Sequence, residues 1–288
     1  MRLRSRSFAA IATVGLLLGM MPIAPVRAAT TVTPGDLIRG TSFSAVYYMG
    51  EDGFRYVFPN EKTYATWYSD AETGALDFST VKMLTDSELS AIQMGGNVTY
   101  HPGLRMIKIN SDPKTYFVNA GGTLQWVSSE ETAVLIYGDA WNTYIDDVPD
   151  GFFGNYVIGT PLTVESVTDS ASGSTLFLSH TFGGTSSITD DKELAAYNSV
   201  AIADMAFVDA NEGVGSVTTI HAGETVRWTN NDTASHTATA EDNSWGTGTL
   251  KTDQSFVRRF DTPGTYTYYC SYHPEMTGTI VVTEVEVL

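Results

Sequence analysis

The C-terminal third of the chain alternates apolar and polar positions over short runs. Val226-Arg227-Trp228-Thr229 and Tyr266-Thr267-Tyr268 show this alternation, which is typical of strands with one buried face. Gly, Asn, Asp or Pro separates most of the runs, as expected for turns between strands. The candidate strands are residues 200–208, 217–220, 225–230, 237–240, 256–260, 265–270 and 279–283. Their spacing predicts an all-β Greek-key sandwich over residues 196–288.

The N-terminal half contains an internal repeat. Six residue types recur at a fixed offset of 69 residues. Tyr47, Gly53, Glu61, Thr63, Tyr68 and Asp70 align with Tyr116, Gly122, Glu130, Thr132, Tyr137 and Asp139. Aromatic and β-branched residues flank Asp52-Gly53 in the first copy and Gly121-Gly122 in the second, which predicts a hairpin in each. Helix starts follow at Pro59-Asn60-Glu61 and Ser128-Ser129-Glu130. The pattern predicts a small α+β domain of two hairpin-helix repeats over residues 31–163.

The first copy is dense in aromatic residues, namely Tyr47, Tyr48, Tyr56, Tyr64, Trp67 and Tyr68. Flat rings stack on the faces of sugars, so a carbohydrate or cell-wall ligand is one interpretation. Burial is the other, because aromatic side chains supply most of the buried area in a unit this small. We expect a core role, and a surface-binding role for residues 31–163 remains the alternative.

The first 28 residues have the pattern of a secretory signal peptide. Three arginines precede an apolar run at residues 11–21, and the small-residue site Val26-Arg27-Ala28-Ala29 follows. Pro22 and Pro25 interrupt the run, which falls short of the roughly 20 apolar residues that a membrane span needs. No later stretch is apolar for long enough either. We expect an exported protein, periplasmic, extracellular or at the cell surface, that does not span a membrane.

A stretch rich in Ser, Thr and Gly separates the two halves and predicts a flexible linker over residues 164–195. Within it, Leu176-Phe177-Leu178 is apolar enough to pair as a short edge strand on either neighbour. Residues 191–196 are compatible with one helical turn. The 288 residues, of which 42% are hydrophobic, suffice for two domains of ordinary size.

The chain is strongly acidic. Its formal charge is −17, and loss of the four arginines in residues 1–28 would take it to −21. Such a charge repels nucleic acid and favours a basic partner, although it equally serves the solubility of an exported protein. The acidic residues are spread along the chain rather than clustered, which favours the solubility interpretation.

Cys270 is the only cysteine, so the chain has no internal disulfide, and an exported lone thiol is expected to be buried or bound to a metal. His273 and Met276 follow it within six residues, and His236 lies upstream. One thiolate, two imidazoles and one thioether form the ligand set of a blue copper electron-transfer site. Alone, His236 would be an ordinary strand-end residue and Met276 a core residue. Together, the four predict one type 1 copper ion per chain.

Two segments carry a resemblance to a known family. Residues 222–232 (AGETVRWTNND), ahead of His236, and residues 260–270 (FDTPGTYTYYC) resemble the cupredoxins, and within them plastocyanin and amicyanin. The likeness covers residues 198–285, and the short Cys-x-x-His-x-x-Met loop is closer to that of amicyanin. The sequence departs from the family at Val208, because cupredoxins often have proline after the phenylalanine that corresponds to Phe207. The N-terminal repeats resemble modules of unknown function in exported bacterial proteins.

The resemblance implies single-electron transfer between redox proteins, such as a basic cytochrome, a dehydrogenase or an oxidase. The exposed ring edge of the C-terminal ligand histidine implies His273 as the electron route, and Tyr269 beside Cys270 offers a second one. We expect no enzymatic activity, because the four ligands leave no position for a substrate. Five histidines in all are too few for a multicopper cluster. Copper delivery by an exported protein and a surface-binding module with an accessory copper domain remain alternatives.

Overall fold

The computed structural model of the chain describes residues 30–70, 73–168, 187–211, 213–215 and 217–285. The predicted signal peptide and Leu176-Phe177-Leu178 lie outside these ranges. Four β-sheets account for most of the regular structure, two in the N-terminal half and two in the C-terminal part. In the ranges described, none of the helices has the length and apolar character required to traverse a bilayer.

The first N-terminal unit is a five-stranded mixed sheet with two helices. Its elements are β1 (Leu37–Gly40), β2 (Val46–Met49), β3 (Arg55–Val57), α1 (Glu61–Tyr68), β4 (Lys82–Leu84), α2 (Asp86–Ala91) and β5 (Met94–Asn97). The strand order is β4-β1-β2-β3-β5. The three central strands pair antiparallel, whereas β4 and β5 join the two edges in parallel.

The second N-terminal unit has the same arrangement. Its elements are β6 (Met106–Ile109), β7 (Asp112–Asn119), β8 (Thr123–Trp126), α3 (Glu130–Tyr137), β9 (Ile145–Asp147), α4 (Asp150–Phe153) and β10 (Val157–Ile158). The strand order β10-β8-β7-β6-β9 is that of the first sheet read from the other edge. Each unit therefore contains a central antiparallel meander flanked by two parallel strands that arrive later in the sequence.

The two helix starts that the sequence predicts are confirmed. Asn60 caps α1, since its Oδ1 accepts the backbone N–H of Thr63 at 2.8 Å. Ser129 caps α3 in the same way, through its Oγ and the N–H of Thr132 at 3.1 Å. These side chains satisfy amide groups that the first turn of a helix leaves without partners. The predicted hairpins around residues 52–53 and 121–122 are also present.

Most of the aromatic residues of the first unit are core residues, as expected. Tyr48, Tyr56 and Tyr64 are buried with Phe58 in one apolar cluster, and Trp67 packs against it. The phenol of Tyr64 donates to the backbone oxygen of Asp77, so its polar end is satisfied. Burial of such rings stabilises a small unit more than any other residue type does.

The described ends of the predicted linker are packed, which the polar composition did not indicate. In α5 (Val164–Thr168), Val167 is buried in the core of the second unit. After the gap, α6 (Ile188–Asp191) and the following turn bury Ile188 and Leu194 in the core of the first unit. The helical turn therefore lies a few residues before the predicted position. A few apolar side chains in a polar sequence suffice to anchor both ends.

The C-terminal part is a β-sandwich. Its strands are β11 (Asn198–Ala203), β12 (Ala206–Asp209), β13 (Gly213–Val214), β14 (Val217–His221), β15 (Thr225–Asn230), β16 (Thr239–Ala240), β17 (Ser255–Arg259), β18 (Gly264–Tyr269) and β19 (Thr277–Thr283). One sheet has the order β13-β12-β11-β15-β17, and the other has the order β14-β19-β18-β16. The apolar positions of the alternating runs face one another between the sheets.

Aromatic rings fill the centre of the sandwich. Trp228 from one sheet and Tyr268 from the other meet edge to face, with ring centroids 5.7 Å apart, and the ring of Trp245 lies 5.5 Å from that of Trp228. Cys270 and Met276 belong to the same buried cluster. Two of the candidate ligands therefore belong to the packed core of the domain, which limits their movement.

The prediction of one strand over residues 200–208 is wrong, because β11 and β12 form a hairpin there. Its turn residues Asp204 and Met205 have φ angles of 49° and 60°, the left-handed values that a two-residue hairpin turn requires. Asp204 is a common turn residue but Met205 is not, so a single aspartate within an apolar run was too weak a turn signal to divide the predicted strand. The carboxylate of Asp232 accepts the N–H groups of both residues, at 2.9 and 3.0 Å, and thereby stabilises the turn.

The side chain of Gln93 in the first unit forms hydrogen bonds with an edge strand of the sandwich, as the backbone of a neighbouring strand would. Strand β17 is an edge strand, and the amide of Gln93 forms two hydrogen bonds with the backbone of Val257 in it. Gln93 Nε2 donates to the Val257 oxygen at 3.0 Å, and Gln93 Oε1 accepts the Val257 N–H at 2.6 Å. Nearby, Thr225 Oγ1 donates to the backbone oxygen of Asp52 at 3.2 Å.

Asp52→Asn is expected to change how the free energy of unfolding depends on pH between pH 4 and 7. Burial raises the pKa of Asp52 above its ordinary value of 3.8, although Tyr56 donates a hydrogen bond to the carboxylate. The folded chain therefore binds this proton more tightly than the unfolded chain does, and the ionised carboxylate opposes folding at neutral pH. This destabilising effect disappears as the pH falls through the raised pKa towards 3.8, because the carboxylate then becomes protonated in the folded chain.

Urea unfolding of the Asp52→Asn variant and the parent between pH 4 and 7 tests this expectation. The stability difference should be largest at pH 7, in favour of the variant, and should shrink on acidification. Carboxylates with lowered pKa values, such as Asp36, act in the opposite direction but are common to both proteins and cancel. A difference that grows towards low pH would contradict the assignment.

Candidate metal centre

The four candidate ligands come from two places in the sandwich. His236 lies on the segment that follows β15, where its N–H and oxygen form a pair of backbone hydrogen bonds with Leu250, at 3.0 and 2.8 Å. Cys270 directly follows β18, and Met276 directly precedes β19. The adjacent antiparallel strands β18 and β19 therefore hold both ends of the loop that carries three of the residues.

That loop is closed by its own backbone. Cys270 N–H donates to the oxygen of Met276 at 3.0 Å, His273 N–H to that of Cys270 at 3.1 Å, and Met276 N–H to that of His273 at 2.9 Å. Each hydrogen bond joins two of the three residues. The spacing of two residues between Cys270 and His273, and again before Met276, thus determines their relative positions.

The structure brings three donor atoms together in a compact triangle. Cys270 Sγ lies 3.7 Å from His236 Nδ1 and 3.6 Å from His273 Nδ1, and the two Nδ1 atoms are 3.2 Å apart. Typical metal bonds of about 2.0 Å to nitrogen and 2.3 Å to sulfur in a trigonal plane place the sulfur about 3.7 Å and the second nitrogen about 3.5 Å from each nitrogen. The observed triangle is therefore of the size that one metal ion requires.

The chemistry of these donors fits copper. A thiolate and two imidazoles in a plane suit both Cu(II) and Cu(I), and a thioether completes the set in blue copper sites. Met276 is buried in the same apolar cluster as Cys270 and is positioned by the loop hydrogen bonds. Cys270 and His236 are fully buried, whereas His273 is only partly buried. The site is thus closed to solvent except on the side of His273.

Thr237 forms one hydrogen bond to the cysteine sulfur and another to the residue after the cysteine. The N–H of Thr237 points at Cys270 Sγ from 3.4 Å, and Thr237 Oγ1 accepts the N–H of Ser271 at 2.8 Å. Thr237 therefore joins the segment of His236 to the segment of Cys270 on both sides of the sulfur. An N–H directed at a thiolate stabilises its negative charge, which influences the electronic properties of a metal bound to it.

Asn230 is a residue of the site that the sequence analysis missed. Its side chain is fully buried, and its Nδ2 donates to the oxygens of Ala234 at 2.7 Å and Leu250 at 2.9 Å. Its Oδ1 accepts the N–H of Asp232 at 2.9 Å. One amide thus fixes the loop on one side of His236 and the segment that pairs with it on the other. The sequence analysis placed Asn230 at the end of a candidate strand and gave its side chain no role.

Asp232 is the second such residue. Its Oδ2 lies 3.2 Å from Nε2 of His236, an ion-pair distance without the alignment of a good hydrogen bond. The N–H groups of Met205 and Asp204 hold the pKa of Asp232 below its ordinary value, and burial lowers the pKa of His236. A carboxylate that faces Nε2 favours a proton on that nitrogen and leaves Nδ1 free to bind a metal.

His101 and His221, the other histidines that the structure describes, have no comparable surroundings. His101 contacts the ring of Trp67 in the first unit, and His221 faces Thr283 at the end of β14. His180 lies outside the described residues. Over the ranges that the structure covers, the group of His236, Cys270 and His273 is the one cluster of three or more His, Cys, Asp or Glu residues that could hold a metal ion.

Comparisons with known proteins relate the sandwich to copper binding proteins. The profile of the plastocyanin/azurin family of copper binding proteins matches residues 195–283. Amicyanin of Paracoccus versutus is 31% identical over 100 residues, which cover 33% of this chain and 76% of that protein. Amicyanin-alpha of Methylorubrum extorquens is 35% identical over 71 residues, which cover 22% of this chain and 57% of that protein.

Solved structures give similar matches. The crystal structure of amicyanin from Paracoccus versutus is 30% identical with a TM-score of 0.27, and the match covers 31% of this chain and 83% of that one. A copper-containing nitrite reductase from Thermus scotoductus is 27% identical with a TM-score of 0.28, over 31% of this chain and 23% of that one.

The sandwich is therefore a cupredoxin-like copper domain, as its strands and donor residues indicated. The chain belongs, through residues 195–283, to the plastocyanin/azurin family of copper binding proteins. Copper is accordingly its metal. The family match leaves the two N-terminal units outside its range.

Proposed function

We propose that the chain is an exported electron carrier with one type 1 copper ion, which His236, Cys270, His273 and Met276 would hold. The observation that carries the proposal is the buried triangle of one sulfur and two nitrogens with sides of 3.2 to 3.7 Å. When bound, copper supplies one-electron chemistry by alternating between Cu(II) and Cu(I). The protein residues supply the position, the enclosure and the electrostatic environment.

The protein suits this role because its ligands are held before metal binds. The loop hydrogen bonds, the pairing of His236 with Leu250 and the contacts of Thr237 restrict movement of the donor atoms. A site that moves little between two oxidation states has a small reorganisation barrier. Four protein ligands also leave no open position for a substrate, so we propose a carrier and not an enzyme.

His273 is the proposed point of electron entry and exit. It is partly buried, and its neighbour Tyr272 is 54% exposed, so the imidazole lies close to the surface. Tyr269 is the second candidate, because it directly precedes Cys270 and is connected to the sulfur through the backbone. In β18 its neighbour Tyr268 faces the core, so Tyr269 faces the opposite side of the sheet.

Tyr269→Phe is expected to leave the colour of the copper site unchanged. The ring is retained, and no hydrogen bond of the Tyr269 hydroxyl to the donor residues is present among the described residues. The visible spectrum of the copper-loaded variant should therefore match that of the parent. Loss of the colour would identify Tyr269 as a structural residue of the site and would remove it as a candidate route.

The proposed partners are redox proteins with a basic docking surface, such as a cytochrome, a dehydrogenase or an oxidase. The formal charge of −17 supports this choice, because opposite charges accelerate encounter and like charges would repel nucleic acid. The rate of electron exchange with a basic partner should accordingly fall as the salt concentration rises.

We further propose that residues 1–28 direct export and that residues 31–163 are two copies of one structural unit. The shared strand order of the two N-terminal sheets supports the duplication. A segment within residues 164–195 then connects these units to the copper domain at 196–288. In an exported protein, the N-terminal units would be available for contact with the cell surface or cell wall.

Voltammetry of the copper-loaded protein tests electron transfer against copper delivery. A carrier should give a reversible one-electron wave, and the copper content should be unchanged after repeated reduction and oxidation. Loss of copper upon reduction, or its transfer to an added Cu(I) chelator at a rate matching reduction, would support delivery and contradict the carrier proposal. A colourless protein after addition of Cu(II) would contradict both.

A further inference from the structure

Each N-terminal unit has a groove beside the start of its longer helix. In the first unit, a groove of about 410 Å³ lies between the beginning of β2, the first turn of α1 and the loop that contains Phe78. In the second unit, a groove of about 190 Å³ lies between the beginning of β7, the first turn of α3 and Trp141. The copper site uses neither groove.

The two grooves occupy equivalent positions. Six lining positions of the first recur 69 residues later in the lining of the second: Ser44, Val46, Phe58, Asn60, Glu61 and Tyr64 correspond to Pro113, Thr115, Val127, Ser129, Glu130 and Ala133. A depression that arose from irregular packing would have no reason to recur at the same offset. The recurrence therefore identifies the groove as a feature of the unit itself.

Aromatic rings line both grooves, but from different positions. In the first, Phe78 is 50% exposed and stacks on buried Tyr64, with centroids 4.7 Å apart and planes inclined by 13°. In the second, alanine replaces that tyrosine, and Trp126 and Trp141 supply the rings. An aromatic surface is thus present in both copies although the residues that provide it differ. A purely structural role would favour burial of these rings, and the ring of Phe78 is half exposed.

One carboxylate in each groove is available to a ligand. Glu61 and Glu130 are exposed at the first position of their helices, and among the described residues neither has a hydrogen-bond or ion-pair partner. The capping side chains of Asn60 and Ser129 are already engaged with the helix. Neither lining contains Lys or Arg, and the ammonium of Lys114 beside the second groove lies over the ring of Trp126, 5.2 Å from its centre. With a chain charge of −17, the grooves are unsuited to an anionic ligand.

We propose that both grooves bind an uncharged glycan. The apolar face of a sugar ring packs on the aromatic side chains, and its hydroxyl groups donate hydrogen bonds to Glu61 or Glu130. A proline-rich peptide would also pack on the rings but has few N–H or O–H groups to offer the carboxylate. Two equivalent sites in tandem suit a polymer with a repeating unit, because the second binding event then becomes intramolecular. The inference is independent of the copper site.

Fluorescence titration of the copper-loaded full chain tests the second groove, since Trp126 and Trp141 line it. The probes are cellotetraose, tetra-N-acetylchitotetraose and mannotetraose, with tetragalacturonate as the anionic control and decaproline as the peptide control. At least one neutral tetrasaccharide should change the fluorescence in a saturable manner, whereas the two controls should not. Absence of binding by all three neutral probes, or binding of only a control, would overturn the proposal.

Matched variants locate the binding. Glu130→Gln should weaken binding in the fluorescence titration about tenfold, the usual effect of losing one charged hydrogen-bond acceptor. Glu131→Gln changes the adjacent exposed acid outside the groove lining and should alter the affinity less than about twofold. Equal losses in both variants would indicate a general charge effect and would contradict the assignment to this groove.

The first groove is tested by Phe78→Ala with Phe43→Ala as its control. Phe43 is 69% exposed and does not line the groove, so both changes remove an exposed ring of the same type. In equilibrium dialysis, Phe78→Ala should reduce the saccharide bound at saturation from two molecules per chain towards one, and the control should retain two. Thermal unfolding confirms that both variants are folded. Loss of binding in both, or in neither, would contradict the proposal.

Discussion

Replacing Cys270 with Ser is expected to abolish the intense visible absorption of the copper-loaded protein. That absorption requires charge transfer from a thiolate to copper, and Cys270 is the only thiol in the chain. Serine has nearly the same shape and its side chain is the smallest change that removes the sulfur, so the sandwich should still fold. The alcohol remains protonated at neutral pH and is a poor ligand for Cu(I), which is also expected to lower copper affinity.

Visible spectra and copper content, measured after addition of Cu(II) and gel filtration, check this result. Ser271→Ala is the matched control, because it alters the next residue and leaves its backbone N–H, which bonds to Thr237 at 2.8 Å, in place. The control should keep the full colour. A Cys270→Ser protein with an undiminished band would show that the copper is bound elsewhere, and far-UV circular dichroism would verify that both variants are folded.

Replacing Asn230 with Ala is expected to lower the free energy of unfolding of the copper-free protein by about 2–4 kcal/mol. The substitution removes all three hydrogen bonds of a buried amide at once and leaves the oxygens of Ala234 and Leu250 and the N–H of Asp232 without these partners. Since those groups hold the segments on either side of His236, copper affinity should fall as well.

Chemical denaturation of the copper-free variant measures the effect without the stabilisation that bound metal would add. Asn231→Ala is the control, because the backbone N–H of Asn231, which donates to Ile202 at 2.8 Å, is retained and the residue is exposed. The control should change stability by less than about 0.5 kcal/mol. Similar losses in the two variants would mean that the buried amide does not organise the site.

The ligand loop could be predicted because its information is local. Cys270, His273 and Met276 lie within seven residues, and the hydrogen bonds that close the loop join only those residues. His236 is 34 residues before Cys270, so its inclusion rested on the rarity of the combined residue types and on the family resemblance. Asn230 and Asp232 could not be found in this way. Asp232 bonds to the turn at Met205 and Asn230 to Leu250, and these distant partners come together only when the strands are in register.

In the N-terminal half, too, the features set by neighbouring residues could be predicted and those set by distant residues could not. The repeat and the caps at Asn60 and Ser129 are properties of adjacent residues, and they predicted the hairpins and the helices α1 and α3 correctly, whereas the shorter helices α2 and α4 were not predicted. The parallel edge strands β4 and β5 have three and four residues and pair with strands far away in the sequence, which no local pattern reveals. The packing of Ile188 and Leu194 on the first unit was hidden by the polar sequence around them.

The side chain of Gln93 has a consequence for the solubility of the copper domain. An open sheet edge presents unpaired N–H and C=O groups that recruit other strands and promote aggregation. At β17, the amide of Gln93 pairs with both backbone groups of Val257, as a neighbouring strand would. The first unit therefore acts as an intramolecular cover for this edge. Separated from it, the copper domain would expose β17 and become prone to self-association through strand addition.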